Sequence, residues 1–156
     1  MPDYQIRTAA KVTCTAGTEK SLIELATPST RRARPKRLIV GGFSVAASDP
    51  PMIAYISQYD TAATGGTGAT PNPIDPAEPA SLMTGGTYNR TNMPTGTRVI
   101  LAQVTVPPSG TLVYDLPLMP DGASPMVAVS KILCVSALAD AAGANQSVHA
   151  ELVYGE

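Results

Sequence analysis

The last part of the chain, residues 145–154 with the sequence NQSVHAELVY, decides the fold class. Polar and mainly apolar side chains alternate along it with a period of two. This is the spacing at which a β-strand turns successive side chains to opposite faces. The polar set is Asn145, Ser147, His149 and Glu151, and the mainly apolar set is Gln146, Val148, Ala150, Leu152 and Tyr154. The pattern predicts a strand with one face on a core and the other towards solvent.

Short runs of the same kind recur through the chain. Fifteen prolines and thirteen glycines are spread over the 156 residues, so few windows can hold a long helix. Runs rich in Val, Ile and Leu predict eight strands, at residues 11–16, 20–26, 36–47, 52–58, 98–106, 110–118, 126–137 and 146–154. Eight short antiparallel strands in a chain of this length predict a single all-β domain over residues 1–156. We expect a two-sheet antiparallel β-sandwich of the jelly-roll type.

Two of the predicted strands, 36–47 and 126–137, are more continuously apolar than the others. A central strand covered on both faces has this character, and so does a strand buried against a neighbouring subunit. Both explanations fit the sequence.

Turn residues separate the predicted strands. Pro107-Pro108-Ser109-Gly110 predicts a tight hairpin, Ala16-Gly17-Thr18 a turn between the first two strands, and Pro120-Asp121-Gly122 another turn. Residues 60–97 differ from the rest, since they contain five Pro, six Gly and nine Thr. This composition predicts a long loop, with a short extra strand within 81–87. Loops of this length are usually functional or mobile, so we expect a surface excursion that contacts a neighbouring subunit or a larger assembly.

Composition argues against several classes of partner. Charged residues make up 15% of the chain and the net charge is -1, so the molecule as a whole has no field that attracts nucleic acid or anionic lipid. No apolar run approaches the roughly 20 residues of a membrane span, and the first ten residues lack the apolar stretch of a signal peptide. We expect a soluble product made in the cytoplasm, with neither nucleic acid nor membrane as a partner.

The one histidine, His149, is flanked on its strand face by Ser147 and Glu151. A Ser-His-Glu catalytic arrangement and an ordinary solvated strand face both fit this spacing. The spacing supplies neither a nucleophile elbow nor an oxyanion hole, and alternation of this kind is usual for a half-exposed strand. We therefore expect no catalytic residues and no enzyme activity.

Metal and cofactor signatures are lacking as well. The two cysteines, Cys14 and Cys134, are 120 positions apart and belong to no metal-binding motif. We expect them to be buried thiols, although a disulfide between them stays open. Asp75 and Glu78 lack the spacing of a calcium loop, and the Gly-rich residues 65–68 lack the lysine of a phosphate-binding loop. We expect no metal and no cofactor.

One cluster of charge stands out, and it supplies the candidate partner-binding residues. Five cations occur within seven residues: Arg31, Arg32, Arg34, Lys36 and Arg37. They fit a solvated loop whose charges keep the next strand from aggregating, a docking surface for an acidic protein, or a contact with nucleic acid. Since the rest of the chain sums to -6 without these five, the patch is local.

Several stretches together resemble small structural proteins of phages and prophages. They are residues 16–22 (AGTEKSL), 26–28 (ATP), 31–34 (RRAR), 70–76 (TPNPIDP), the Pro107-Pro108-x-Gly110 turn, and the Glu151-Leu152-x-Tyr154-x-Glu156 ending. The chain is similar to capsid decoration, or cement, proteins. That resemblance implies a jelly-roll unit, often a homotrimer, that binds the major capsid protein on the outside of the virion and stabilises the shell.

A receptor- or carbohydrate-binding β-sandwich of a phage tail or fibre is the alternative function. Such a protein would present clustered exposed aromatic rings, and the candidates here are Tyr55, Tyr59 and Tyr88.

Overall fold

A computed structural model describes residues 2–44, 48–116 and 125–156. Within these residues the chain forms β-strands and no helix. The strands are β1 (Asp3–Arg7), β2 (Val12–Cys14), β3 (Glu19–Ala26), β4 (Arg34–Phe43), β5 (Met52–Tyr59), β6 (Thr67–Gly68), β7 (Asn72–Pro73), β8 (Thr84–Tyr88), β9 (Val99–Val106), β10 (Ser109–Asp115), β11 (Ile132–Leu138) and β12 (Gln146–Gly155). They form two antiparallel sheets that pack face to face, which confirms the predicted sandwich.

The first sheet has the order β10-β4-β12-β1-β7, with β2 also paired to β12, and the second has the order β6-β8-β3-β11-β5-β9. Eight strands form the body, four in each sheet: β10-β4-β12-β1 and β3-β11-β5-β9. Among these eight, the chain changes sheet at every connection except the one from β5 to β9. This connectivity is that of a jelly roll.

All eight predicted strands overlap observed ones, but two predicted turns have a different role. β9 ends at Val106 in the second sheet and β10 begins at Ser109 in the first, so the predicted hairpin at 107–110 is wrong. Prolines cannot donate to a ladder, and here Pro107 and Pro108 carry the chain across the edge of the sandwich. Gly42 lies under this crossing, because a Cβ there would be 2.3 Å from the Pro107 carbonyl oxygen. The turn at 16–18 likewise joins β2 and β3 across the two sheets.

Other differences concern the ends of the predicted strands. Residues 126–131 of the predicted strand 126–137 precede β11, and β1, β6 and β7 were not predicted. The predicted turn at 120–122, and residues 45–47 and 117–118 of two predicted strands, lie outside the described residues.

The core lies between the sheets and follows the predicted alternation. Val148, Ala150, Leu152 and Tyr154 of β12 are fully buried, whereas the residues between them are only partly buried. β4 and β11, the two continuously apolar runs, are both central strands. All of β11 except Leu138 is buried, and Met93 packs against Tyr59, Ile132 and Cys134 in a second hydrophobic cluster. Coverage within one chain therefore explains the run at β11, whereas β4 leaves Phe43 42% exposed.

Residues 60–97, hereafter the connecting segment, join β5 to β9, which are neighbours in the same sheet. The segment is long and mostly irregular, as expected, but short strands attach it to both sheets. β8 pairs with β3 and with β6 in the second sheet, and β7 pairs with β1 in the first. Ala63 and Met83 are buried. The segment thus lies along the body of the sandwich with most of its residues exposed, and its contact with a neighbouring subunit or a larger assembly stays a prediction.

A buried carboxylate holds the connecting segment in place. Glu24 on β3 is 1% exposed, and its Oε2 accepts hydrogen bonds from Arg90 Nε at 3.1 Å and from the Ala63 backbone N–H at 3.1 Å. Its Oε1 accepts one from the Ser21 hydroxyl at 2.7 Å. Arg90 also donates to the Gly65 carbonyl at 2.7 Å. Since a buried charge is tolerated only when paired and hydrogen-bonded, the segment completes the environment that Glu24 requires.

We expect Arg90→Met to lower the free energy of unfolding by about 3 kcal/mol or more, because removing one partner of a buried ion pair leaves an uncompensated charge. Urea denaturation of the purified variant measures this loss.

The matched control is Arg37→Met. Its ion pair with Asp115 is exposed on both sides, so we expect a change of less than about 1 kcal/mol. Equal, small effects of the two substitutions would contradict the role given to the Glu24–Arg90 pair.

Candidate functional site

The predicted basic cluster lies at one end of the sandwich. The connection between β3 and β4 runs beside residues 125–131 and is hydrogen-bonded to them. Ala33 and Val127 exchange backbone hydrogen bonds of 3.2 and 2.8 Å, and the Thr27 hydroxyl donates to the Ala128 carbonyl at 2.7 Å. We call this surface, residues 27–34 and 125–131, the basic end. Because hydrogen bonds join these two segments, the backbone that carries the exposed side chains of the basic end has a defined position.

The structure divides the five predicted cations into two groups. Arg31 and Arg32 are exposed, and neither forms an ion pair among the described residues. Lys36 is paired with Asp3, and Arg37 with Asp115. Arg34 is half-buried, with Nη2 3.7 Å from the sulfur of Met126. The cluster therefore does not act as one patch of five charges, since two of its members are already neutralised within the chain.

Exposed apolar side chains lie within the basic end and beside Arg31. Leu82 is 51% exposed, and Met126 and Val129 are 38% and 37% exposed. Leu82 and Arg31 line the same recess of about 140 Å³, together with Tyr4 and Glu156. The Glu156 carboxylate accepts hydrogen bonds from Ser81 and from the Leu82 backbone N–H. Arginine beside exposed methionine and leucine is a composition typical of protein interfaces.

His149 does not form the Ser-His-Glu arrangement. Its Nδ1 lies 2.7 Å from the hydroxyl oxygen of Thr8, and no hydrogen bond joins it to Ser147 or Glu151 in the part of the chain that the structure describes. Ser147, His149 and Glu151 share the outer, partly exposed face of β12, as expected for a half-exposed strand.

A cleft of about 530 Å³ opens beside His149, and we call it the side cleft. It lies where the connecting segment passes from the second sheet to the first. Its lining comes from β1 and the residues after it (Gln5, Arg7, Thr8, Ala9), from the segment (Gly68, Ala69, Thr70, Asn72, Tyr88), and from β12 (His149). Most of these side chains are polar, and none is a carboxylate. Sequence reasoning identified only His149 and Tyr88 among them, because the others are far apart in the chain and share no motif.

The three candidate tyrosines do not cluster. Tyr59 is 5% exposed, and Tyr55 is covered by Arg98, whose guanidinium carbon lies 4.7 Å from the ring centre. Arg98 is held by Glu19 through hydrogen bonds of 2.9 and 2.7 Å. Tyr88 alone lines the side cleft. An aromatic sugar-binding platform made of these three rings is therefore absent.

Metal ligands are not brought together. Within residues 2–44, 48–116 and 125–156, no group of three or more His, Cys, Asp or Glu side chains is placed to hold an ion. Asp75 instead accepts a hydrogen bond from the Ala77 backbone N–H at 2.9 Å, as in an ordinary turn.

Both cysteines are free and buried. Burial raises the pKa of Cys14 to about 11. Burial also raises the pKa of Cys134. Since the thiolate is the nucleophilic form, neither thiol is prepared for chemistry.

Comparison with family models, curated proteins and solved structures found no match to this chain. Among the described residues, no helix is long and apolar enough to cross a membrane.

We expect the native protein to react slowly with 5,5′-dithiobis(2-nitrobenzoate) at pH 8, because both thiols are buried and their pKa values are raised. Unfolding in guanidinium should release both thiols for rapid reaction, measured by absorbance. Fast reaction of a thiol in the native state would contradict the burial described here.

Proposed function

We propose that this protein is a non-enzymatic virion component that binds the outside of a phage capsid, contacts the major capsid protein and stabilises the shell. A ligand that binds only the assembled shell stabilises that state by mass action. Support comes from the sequence resemblance, from the jelly-roll connectivity, and from the basic end.

The basic end is the observation that carries the proposal. Arg31 and Arg32 are exposed and unpaired among the described residues, and Leu82, Met126 and Val129 supply apolar area nearby. A partner surface that fits is acidic with apolar pockets. The resemblance identifies that partner as a capsid surface.

The non-enzymatic character is supported by the chemistry of the nucleophiles and bases. Both thiols have raised pKa values, and His149 has a hydroxyl partner, Thr8, that is itself buried. Activation of a nucleophile needs an adjacent base or a lowered pKa; neither thiol has a lowered pKa, and the hydroxyl beside His149, that of Thr8, is fully buried.

We expect the double variant Arg31→Gln/Arg32→Gln to attach to expanded capsids more weakly than the wild-type protein, with a smaller dependence on salt. Each exposed contact is worth on the order of 0–1 kcal/mol, salt screens such charges over about 8 Å, and repetition on the shell multiplies the effect. Co-sedimentation with capsids at several salt concentrations measures it.

Lys36→Gln/Arg37→Gln is the matched control, since it removes the same charge from residues already paired with Asp3 and Asp115. If both double variants attach as well as wild type at every salt concentration, the docking role fails. Tight DNA binding by the wild type that is lost in Arg31→Gln/Arg32→Gln would favour a nucleic-acid contact instead.

We further propose that the protein forms a homotrimer. The run at β11 no longer supports this, because it is covered within one chain, and β4 offers only Phe43 as a large exposed apolar side chain. Support comes instead from β9, which ends the second sheet and carries Val99 and Ile100 at 45% and 49% exposure. A free strand edge with exposed apolar residues is a surface that proteins usually cover.

Sedimentation equilibrium at micromolar concentration should therefore give the mass of three chains. Ile100→Asp should shift the mass towards one chain without unfolding, whereas Thr105→Asp, at an exposed polar position of β9, should leave it unchanged. A wild-type protein that sediments as a monomer would refute the trimer.

A further inference from the structure

The side cleft has a lining that is unusually rich in hydrogen-bond donors. Arg7 supplies a guanidinium, Gln5 and Asn72 supply amides, and Thr70 and Tyr88 supply hydroxyls. At about 530 Å³, the cleft falls within the range of roughly 300–1,000 Å³ that small-molecule sites occupy. Ala9, Gly68 and Ala69 have little or no side chain, which leaves the space between the polar groups open.

Thr8 determines which nitrogen of His149 carries a hydrogen. Thr8 is fully buried, and its hydroxyl oxygen accepts the Ala150 backbone N–H at 3.2 Å. The hydroxyl hydrogen then needs an acceptor, and the one within reach among the described residues is Nδ1 of His149, at 2.7 Å. When Nδ1 of a neutral imidazole accepts, its hydrogen is on Nε2. His149 therefore adds a further donor to the cleft.

One residue supplies the charge of the cleft lining. Arg7 is the one charged residue of the lining. Glu151 lies opposite Arg7 in the register of β1 and β12, yet no ion pair joins them in the described part of the chain. The guanidinium is left available for a ligand. A single carboxylate matches its charge and can accept hydrogen bonds from two N–H groups that lie in one plane.

We propose that the side cleft binds an acidic saccharide through a carboxylate on Arg7. The amides of Gln5 and Asn72 both donate and accept, as sugar hydroxyls do, and the ring of Tyr88 offers a surface to the C–H groups of a sugar. This inference does not depend on attachment to a capsid, because Arg31 and Arg32 take no part in the cleft.

The test compares two sugars that differ only in the carboxylate, methyl glucuronide and methyl glucoside, by ¹H–¹⁵N NMR titration of the full chain. We expect the glucuronide to shift the amides of residues 5–9, 68–70, 72 and 149, and the glucoside to bind up to about fivefold more weakly, because Arg7 is exposed and an exposed ion pair is worth up to about 1 kcal/mol.

The test also includes variants that should weaken glucuronide binding and one that should strengthen it. Arg7→Gln should weaken glucuronide binding by up to the same factor of about five, and Arg7→Lys should weaken it less, because the charge is kept while the planar pair of donors is lost. Glu151→Gln should strengthen glucuronide binding and leave the glucoside unaffected. Arg31→Gln removes the same charge from the basic end and should change neither.

Three outcomes would overturn the proposal. They are shifts at the cleft that are equal for glucuronide and glucoside, no shift at the cleft with either sugar, and a response to acetate as strong as that to glucuronide. The last outcome would describe a simple anion site without sugar recognition. Retained dispersion in the spectra of each variant shows that a lost response is not a lost fold.

Discussion

The buried carboxylate of Glu24 is the constraint on which most of the other features depend. A charge that is 1% exposed needs donors around it, and β3 alone provides only the Ser21 hydroxyl. The remaining donors, Arg90 and the Ala63 N–H, belong to the connecting segment. The topology would allow a short turn between the neighbouring strands β5 and β9. The segment therefore covers Glu24 and builds further structure in addition to connecting β5 and β9.

The connecting segment also contacts the first sheet, and these contacts form the side cleft. After Ala63 it runs through β6 to β7, which pairs with β1 at Tyr4 and Gln5, and returns through β8 to Arg90. This path places residues 68–72 and Tyr88 opposite Arg7 and His149, so the side cleft exists only while the segment is attached. Attachment of the segment to the edge of the first sheet therefore also forms the side cleft.

Sequence patterning predicted the sandwich because inward and outward residues alternate strongly in strands such as β12. It missed β1, a run of five residues in which only Tyr4 and Ile6, on either side of Gln5, are apolar. It misplaced the turn at Pro107 because turn chemistry does not say which sheet the next strand joins. The pairing of Lys36 with Asp3 and of Arg37 with Asp115 depends on strand register. The same is true of the side cleft, whose residues extend from position 5 to position 149.

The basic end and the side cleft are linked by β1. Tyr4 lines the recess that contains Arg31, and Arg7, three residues further along the strand, lines the cleft; three residues of strand span about 10 Å. A protein interface of standard size covers about 800 Å² per partner, or roughly 28 Å across if compact. A shell docked on the basic end would therefore reach the rim of the cleft. Where binding at one site changes the affinity of the other, the change is reciprocal, so a coupling of capsid attachment to saccharide binding through the residues between Tyr4 and Arg7 would act in both directions.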